Sequence, residues 1–353
     1  MAEKFLMKGN EALAEAAIRN GCKHFFGYPI TPQTEVAAYM AKRLPKIGGT
    51  YLQAESEVAA INMVLGCAST GTRCLTSSSS PGISLKGEGI SYIIGSDLPC
   101  VIINVMRGGP GLGGIQPSQA DYWQATKAPG HGDGQVLVFA PSSVQEIVNL
   151  IGRAFDKAET YRMPAMILAD GMLGQMMEPV EFPETTPAPH DKPWALTGTK
   201  GQRKPNIVNS LYLQPQELER TIVERQKRYD LIKENEVLVE EQFLDDAEFA
   251  VVAYGATARV VKSAVSKARE KGIKVGLIRP ITLWPFPMKE IAAAAQQVKA
   301  MLTVEMSMGQ MVDDVRLAVN GEKPVYFFGR TGGIIPSPAE VLGEIQRIMG
   351  GAK

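Results

Sequence analysis

The feature that most constrains this chain is the run Val101–Met106, Val-Ile-Ile-Asn-Val-Met, which ends in Arg107-Gly108-Gly109. A run this short and this apolar, without alternation, needs apolar cover on both faces. That is the situation of a central strand in a parallel sheet. Further apolar segments at 50–53, 72–76, 135–140 and 163–169 alternate with helical stretches at 56–70, 83–95, 118–127 and 142–159. A helix over 10–20, from a cap at Asn10 to Gly21, and a short strand over 23–28 precede them. This alternation predicts a doubly wound α/β domain over residues 1–180. The rhythm resumes at Glu248, with the strand Phe249–Gly255, the helix Ala256–Lys271 and the strand Val275–Arg279. It closes on a helix from Pro338, so residues 246–353 read as a second, smaller α/β domain.

Residues 181–245 break the pattern. Glu181 to Pro205 is rich in Pro, Thr and Lys and reads as an extended linker. Gln216 to Phe243 is densely charged, with Leu218, Ile222, Tyr229, Ile232 and Val237 forming a thin apolar stripe. Such a helix lies on a neighbour rather than in a core, and would suit an arm onto a partner subunit.

Composition excludes several classes. The 353 residues carry 37 Lys+Arg and 37 Asp+Glu, a formal net charge of zero. Nucleic acid and anionic membranes both favour a basic partner, so neither is expected. No apolar run approaches the roughly 18 residues of a membrane span and no signal sequence is evident, so a cytoplasmic location is expected. Cys22, Cys67, Cys74 and Cys100 contain no Cys-x-x-Cys pair, and His24, His131 and His190 are sparse. The cysteines read as small buried hydrophobes, and no metal or iron–sulfur centre is expected on this chain.

Three residues stand out: a hydroxyl at a helix start, an acid opening an apolar helix and an arginine ending an apolar strand. Arg107 follows the apolar run, so a strand delivers a guanidinium to the carboxyl edge of the sheet, where open α/β sheets bind ligands. A guanidinium grips a carboxylate through two parallel bonds, or serves a structural ion pair. Glu57 opens a helix lightened by Ala59, Ala60, Gly66 and Ala68; alone it need only complement the helix dipole, and Glu55 is equally acidic. Thr31 reads as the cap of a helix that begins at Pro32. The segment Gly109-Pro110-Gly111-Leu112-Gly113-Gly114 formally matches a dinucleotide fingerprint. That motif needs a helix opening straight from the loop, and Pro117 intervenes, so it reads as a tight loop at the site.

Taken together, Tyr28-Pro29-Ile30-Thr31-Pro32, Glu57 through Gly66 to Gly71, Thr76 through Gly82, and Arg107 with its glycine loop resemble the α subunit of 2-oxoacid:ferredoxin oxidoreductases. The resemblance covers nearly the whole chain. It implies a pyrimidine-type thiamine diphosphate-binding domain followed by a transketolase C-terminal-like domain. Glu57 then matches the acid on the aminopyrimidine N1′, and Ser79, Ser80, Pro81 and Gly82 the loop beside the pyrimidine. Thr31 and Arg107 match the groups that hold the 2-oxoacid carboxylate. Gly132-Asp133-Gly134 looks like the start of a Mg²⁺–diphosphate motif, but the asparagine that should follow is missing between Ala158 and Met163. The resemblance therefore implies that diphosphate, Mg²⁺ and [4Fe-4S] clusters sit on partners: a β subunit and small ferredoxin-like and γ-type subunits. Coenzyme A is the implied acyl acceptor and ferredoxin the electron acceptor. A branched-chain substrate such as 2-oxoisovalerate is expected. The alternative, 2-oxoglutarate, would want a further cation, Lys86 or Arg73. A scaffold subunit whose site has decayed is the reading from another class.

Overall fold

The run Val101–Met106 is a strand buried along its whole length, in the middle of a seven-stranded sheet. The computed structural model describes residues 3–184 and 191–350, so His190 lies outside the described residues. The chain opens with β1 (Phe5–Lys8), α1 (Gly9–Arg19), β2 (His24–Gly27), α2 (Thr34–Arg43), β3 (Thr50–Gln53) and α3 (Glu57–Ser69). Then come β4 (Cys74–Ser78), α4 (Ser80–Gly95), β5 (Val101–Met106), α5 (Tyr122–Thr126), β6 (Leu137–Phe139) and α6 (Val144–Tyr161). β7 (Ala165–Asp170), α7 (Gly171–Gln175) and β8 (Met177–Val180) follow, and α8 (Pro215–Asn235) leads into β9 (Val239–Gln242). The remainder runs β10 (Phe249–Val252), α9 (Gly255–Glu270), β11 (Val275–Pro280), β12 (Thr282–Trp284) and α10 (Met288–Gln297). It ends with β13 (Ala300–Glu305), α11 (Met311–Val319), β14 (Val325–Gly329) and α12 (Pro338–Met349).

The first sheet has the order β12-β6-β7-β5-β4-β2-β3, parallel except where β12 joins β6. The second has the order β14-β13-β10-β11-β9, parallel except for β9. Its inner strands β10, β11 and β13 are buried along their whole length, as their apolar runs require. Along β10, Phe249 and Val251 face one cluster, packed with α9 and α12, while Ala250 and Val252 face the core that continues into the first half. Among the described residues no helix is long and apolar enough to cross a membrane.

The two halves are joined by more than linkage. β12 follows β11 in the chain yet pairs with β6 of the first sheet, Thr282 opposite Phe139. Gln119 is fully buried between the halves. Its Nε2 donates to the Tyr254 carbonyl at 2.9 Å, and its Oε1 accepts from Thr257 Oγ1 at 2.7 Å and from the Met306 N–H at 3.0 Å.

Three expectations change here. The cap expected at Asn10 is not one: α1 begins at Gly9 after Lys8, and Asn10 Nδ2 instead donates to the Pro32 carbonyl at 2.8 Å and to Glu35 Oε2 at 2.9 Å. The helix expected over 118–127 is only α5, because residues 117–121 are tied into this seam instead of winding. The charged helix expected over 216–243 stops at Asn235, and residues 239–242 form a strand of the second sheet. It lies on its own chain: Arg225 and Arg228 bind Asp97, and Glu236 takes Arg153 and Lys157 from α6.

Candidate active site

The direction of strand addition reverses between β2 and β4: β3 lies outside β2, and the next strands go down on the other side. Loops diverge beyond the carboxyl ends at such a point and leave a crevice. Every residue singled out above follows one of these ends: Thr31 after β2, Glu57 after β3, Ser79 to Gly82 after β4, and Arg107 after β5.

Ser56 caps α3, its Oγ accepting the Ala59 N–H at 3.2 Å, and this fixes Glu57 in the first turn. The Glu57 side chain is buried, 6% exposed, and its carboxylate makes no hydrogen bond or ion pair among the described residues. Gly82 packs directly against it. A Cβ there would lie 2.1 Å from Ser78 Oγ and 2.7 Å from Glu57 Oε1, so only glycine fits. The hydroxyls of Ser78 and Ser79 are buried and have no hydrogen-bond partner among the described residues. Polar groups left this way in a core normally indicate something missing, because each costs free energy when unpaired.

Ser80 is different. Its Oγ donates to Asp121 Oδ2 at 2.6 Å and accepts the Arg107 N–H at 3.0 Å, while its own N–H reaches Asn104 Oδ1 at 3.2 Å. Asn104 Nδ2 donates to the same Asp121 oxygen at 3.0 Å. Ser80 is therefore bound up in the framework that joins β4 to β5. Burial pushes the Asp121 carboxyl up from its ordinary value, against the pull of Ser80, Asn104 and Arg107. Asp121 sits in irregular backbone and carried no sequence signal. Asn104 carried one: it is the sole polar residue of the run Val101–Met106.

Arg107 is 7% exposed. Its Nη1 donates to the Thr31 carbonyl at 2.9 Å and its Nη2 to the Leu112 carbonyl at 3.3 Å, leaving Nε buried with no partner among the described residues. The guanidinium thus joins the loop after β2 to the glycine loop. That loop folds back on itself: Gly108 N–H reaches the Gln116 carbonyl at 3.0 Å, and Gly113 has φ +58° with its Cβ position 1.9 Å from Gly108 O. No helix opens from it, as the position of Pro117 indicated.

The capping role expected of Thr31 is not observed. α2 begins at Thr34, after Gln33. Gln33 is fully buried, and its side chain bonds to the Tyr28 carbonyl and to Ser77 Oγ, which keeps residues 30–33 in a turn and delays the helix. Thr31 instead lies exposed beside a cavity of about 700 Å³ with Ile115, Pro117, Met172, Met176 and Ile335 on its walls.

Asp133 is exposed in the loop before β6. Among the described residues, no group of three or more His, Cys, Asp or Glu side chains is arranged to hold a metal ion. The four cysteines, far apart in sequence, gather around Cys74: Cys67 shares a hydrogen bond with it, and burial with its thiol neighbours pushes Cys74 well above its ordinary value. Burial pushes Cys22 and Cys100 up to about 12, so both are unreactive thiols.

With this geometry in view, residues 15–242 match the family described as pyruvate flavodoxin/ferredoxin oxidoreductase, thiamine diphosphate-binding. Residues 247–341 match pyruvate:ferredoxin oxidoreductase core domain II. The chain belongs to the pyruvate flavodoxin/ferredoxin oxidoreductase family. Within that family, ketoisovalerate oxidoreductase subunit VorB of Methanothermobacter marburgensis is 47% identical over 346 residues, 98% of each chain. The 2-oxoglutarate synthase subunit KorA of Methanothermobacter thermautotrophicus is 35% identical over 377 residues, 99% of this chain and 100% of that one. Among solved structures, 2-oxoglutarate:ferredoxin oxidoreductase from Magnetococcus marinus, with 2-oxoglutarate, coenzyme A and succinyl-CoA bound, superposes with a TM-score of 0.88 at 26% identity. The match covers 98% of this chain and 65% of that one. A split-gene transketolase shares the fold, with a TM-score of 0.61 at 13% identity over 98% of each chain.

The crevice suits the ring that the family binds. An aminopyrimidine is flat, carries ring nitrogens and an exocyclic amine, and would meet a lone carboxylate at Glu57, two free hydroxyls and a glycine surface.

Proposed function

We propose that this chain is the α subunit of a coenzyme A-acylating 2-oxoacid:ferredoxin oxidoreductase and supplies the pyrimidine half of its thiamine diphosphate site. The observation that carries this reading is the Glu57 carboxylate, buried at the switch point of the first sheet with no hydrogen bond or ion pair among the described residues. When bound, thiamine diphosphate supplies the carbon nucleophile and the electron sink for decarboxylation. Glu57 would hold the aminopyrimidine at N1′ by a charge-assisted hydrogen bond, worth roughly 1.5–3 kcal/mol, and would bias the protonation of the ring. Ser79 and Ser78 offer hydroxyls to the ring, and Gly82 and Pro81 shape the wall beside it. Arg107, with its free Nε–H, and Thr31 orient the carboxylate of the 2-oxoacid. Ser80 holds Arg107 and Asn104 in place instead of touching the coenzyme.

The preferred substrate is a branched-chain 2-oxoacid, 2-oxoisovalerate (3-methyl-2-oxobutanoate). The 47% identity to a ketoisovalerate oxidoreductase subunit, against 35% to a 2-oxoglutarate synthase subunit, supports it. The extra cation that 2-oxoglutarate would want is not on offer from Arg73, which is spent on Asp156 and Glu159 at 2.6 and 2.7 Å. Lys86 is fully buried beneath α4. Mg²⁺ and the [4Fe-4S] clusters belong to partner subunits, a β subunit and small ferredoxin-like and γ-type chains, with ferredoxin taking the electrons in the cytoplasm. We divide the chain at 1–180, 181–245 and 246–353.

The test is oxidation of a panel of 2-oxoacids by the co-expressed complex, with and without coenzyme A. Branched-chain acids should be turned over fastest and only with coenzyme A, and Glu57→Gln should lower turnover by about 100-fold or more. Unchanged turnover in Glu57→Gln would place the chain among scaffold subunits.

A further inference from the structure

Lys86 is the most unusual side chain of the first domain. It lies in the middle of α4, fully buried, and its Nζ makes one hydrogen bond, to Thr76 Oγ1 of β4 at 2.7 Å. An ammonium carries three donors and is rarely buried without a paired charge. The packing of α4 on α3 explains how it comes to be there. Gly82, Lys86 and Gly89 are spaced i, i+4, i+7 and so share one face of α4. The two glycines bring α3 close: Glu57 Oε1 lies 2.7 Å from where a Cβ of Gly82 would stand, and Ile61 Cγ2 lies 2.3 Å from that of Gly89. Glu57 and Ile61 are themselves i, i+4 on α3. Lys86 thus emerges between the two close approaches, one turn below Glu57.

Among the described residues the Thr76 hydroxyl of β4 binds the ammonium, Glu57 of α3, brought close by Gly82, is the first charge acting on it, and Cys100 at the entry to β5 comes next. Burial pulls Lys86 down to about 8, opposed first by the charge of Glu57 and then by Cys100. Cys100, pushed up to about 12 by burial, stays neutral at working pH, so Glu57 is the carboxylate that answers Lys86.

We propose that Lys86 is a positioning residue: its ammonium is the buried counter-charge of Glu57 and sets how strongly that carboxylate holds a proton on a bound aminopyrimidine. This rests on the reading of the crevice as a thiamine diphosphate site. A cation beside the Glu57–pyrimidine pair disfavours a further proton there, so removing it raises the proton affinity of the ring. Among the described residues the ammonium's one hydrogen bond goes to Thr76 Oγ1, so it acts on the Glu57–pyrimidine pair as a charge behind it.

The experiment uses the co-expressed complex loaded with thiamine diphosphate and Mg²⁺. Protonation of the bound aminopyrimidine is followed by near-ultraviolet circular dichroism across the neutral range. In Lys86→Met the midpoint should rise by about one pH unit, a tenfold gain in proton affinity, and Lys86→Gln should behave alike if the methionine variant fails to assemble. Lys86→Arg keeps the charge and should leave the midpoint where it is. A midpoint unmoved in both neutral variants overturns the proposal and leaves the functional reading standing. A wild-type complex that binds no thiamine diphosphate overturns both.

Discussion

Gln119→Ala tests whether the two halves are held by one polar side chain. The substitution strips three buried partners at once: the Tyr254 carbonyl, the Thr257 hydroxyl and the Met306 N–H. Tyr254 and Thr257 are fully buried and Met306 nearly so, so none gains water without opening the seam. A buried polar group stripped of its partner costs roughly 1–3 kcal/mol. Three of them, taken near the low end because a water can partly replace the amide, predict a loss of about 3–5 kcal/mol. That is a large part of the ~5–15 kcal/mol that stabilises a typical domain. The assay is urea unfolding followed by tryptophan fluorescence and far-ultraviolet circular dichroism together, because Trp123 and Trp284 sit on the first sheet's side and at its added strand. The variant should unfold earlier, and the two probes should separate as the halves lose their coupling. Gln119→Met fills the volume but makes no hydrogen bond, so it should lose nearly as much. A loss below about 1 kcal/mol in both variants would refute the idea that this amide bolts the seam.

Other outcomes follow from the same geometry. Gly82→Ala places a methyl against Ser78 Oγ and Glu57 Oε1; it should weaken thiamine diphosphate binding at least about tenfold, measured by fluorescence quenching, and lower the melting temperature, since overpacking costs about 1–3 kcal/mol. Arg107→Lys loses the fork that reaches Thr31 and Leu112; KM for the 2-oxoacid should rise by about tenfold or more in steady-state assays, since lysine cannot reproduce a two-pronged grip. Lys86 titrates at about 8 when folded, against its ordinary 10.5. The unfolded chain therefore binds more protons between these values, and stability should rise with pH through that window. Below it the full burden applies, so Lys86→Met should be more stable near neutrality by up to about 3 kcal/mol, and denaturation at several pH values should show its pH slope there gone.

Much of the architecture was legible because parallel strands buried on both faces leave apolar runs that nothing else explains; Val101–Met106 and Phe249–Val252 are such runs. The placement of Arg107 at a strand end followed from the first of these runs, while Ser79 came only from the family resemblance. What escaped was set by contacts between distant residues. Thr31 had the composition of a helix cap, but Gln33 reaches back to Tyr28 and across to Ser77 and decides the turn. A lysine in mid-helix normally reaches solvent, so Lys86 gave no sign of burial, which depends on glycines four residues before and three after it. Gln119 and Asp121 lie in irregular backbone with no period to betray them. Edge strands β9 and β12 are short, and their choice of sheet depends on where the chain turns after β11.

β12 is given by the second half to the first, and its loss would have a price beyond affinity. A polypeptide stopping at residue 245 would leave Leu137–Phe139 as a naked apolar rim, ready to recruit any extended segment that drifts by. The reciprocal fragment would carry Thr282–Trp284 with no ladder to join. A gene split at that boundary would make two products that must trade backbone before either is soluble, whereas a single reading frame delivers the missing strand to its place automatically.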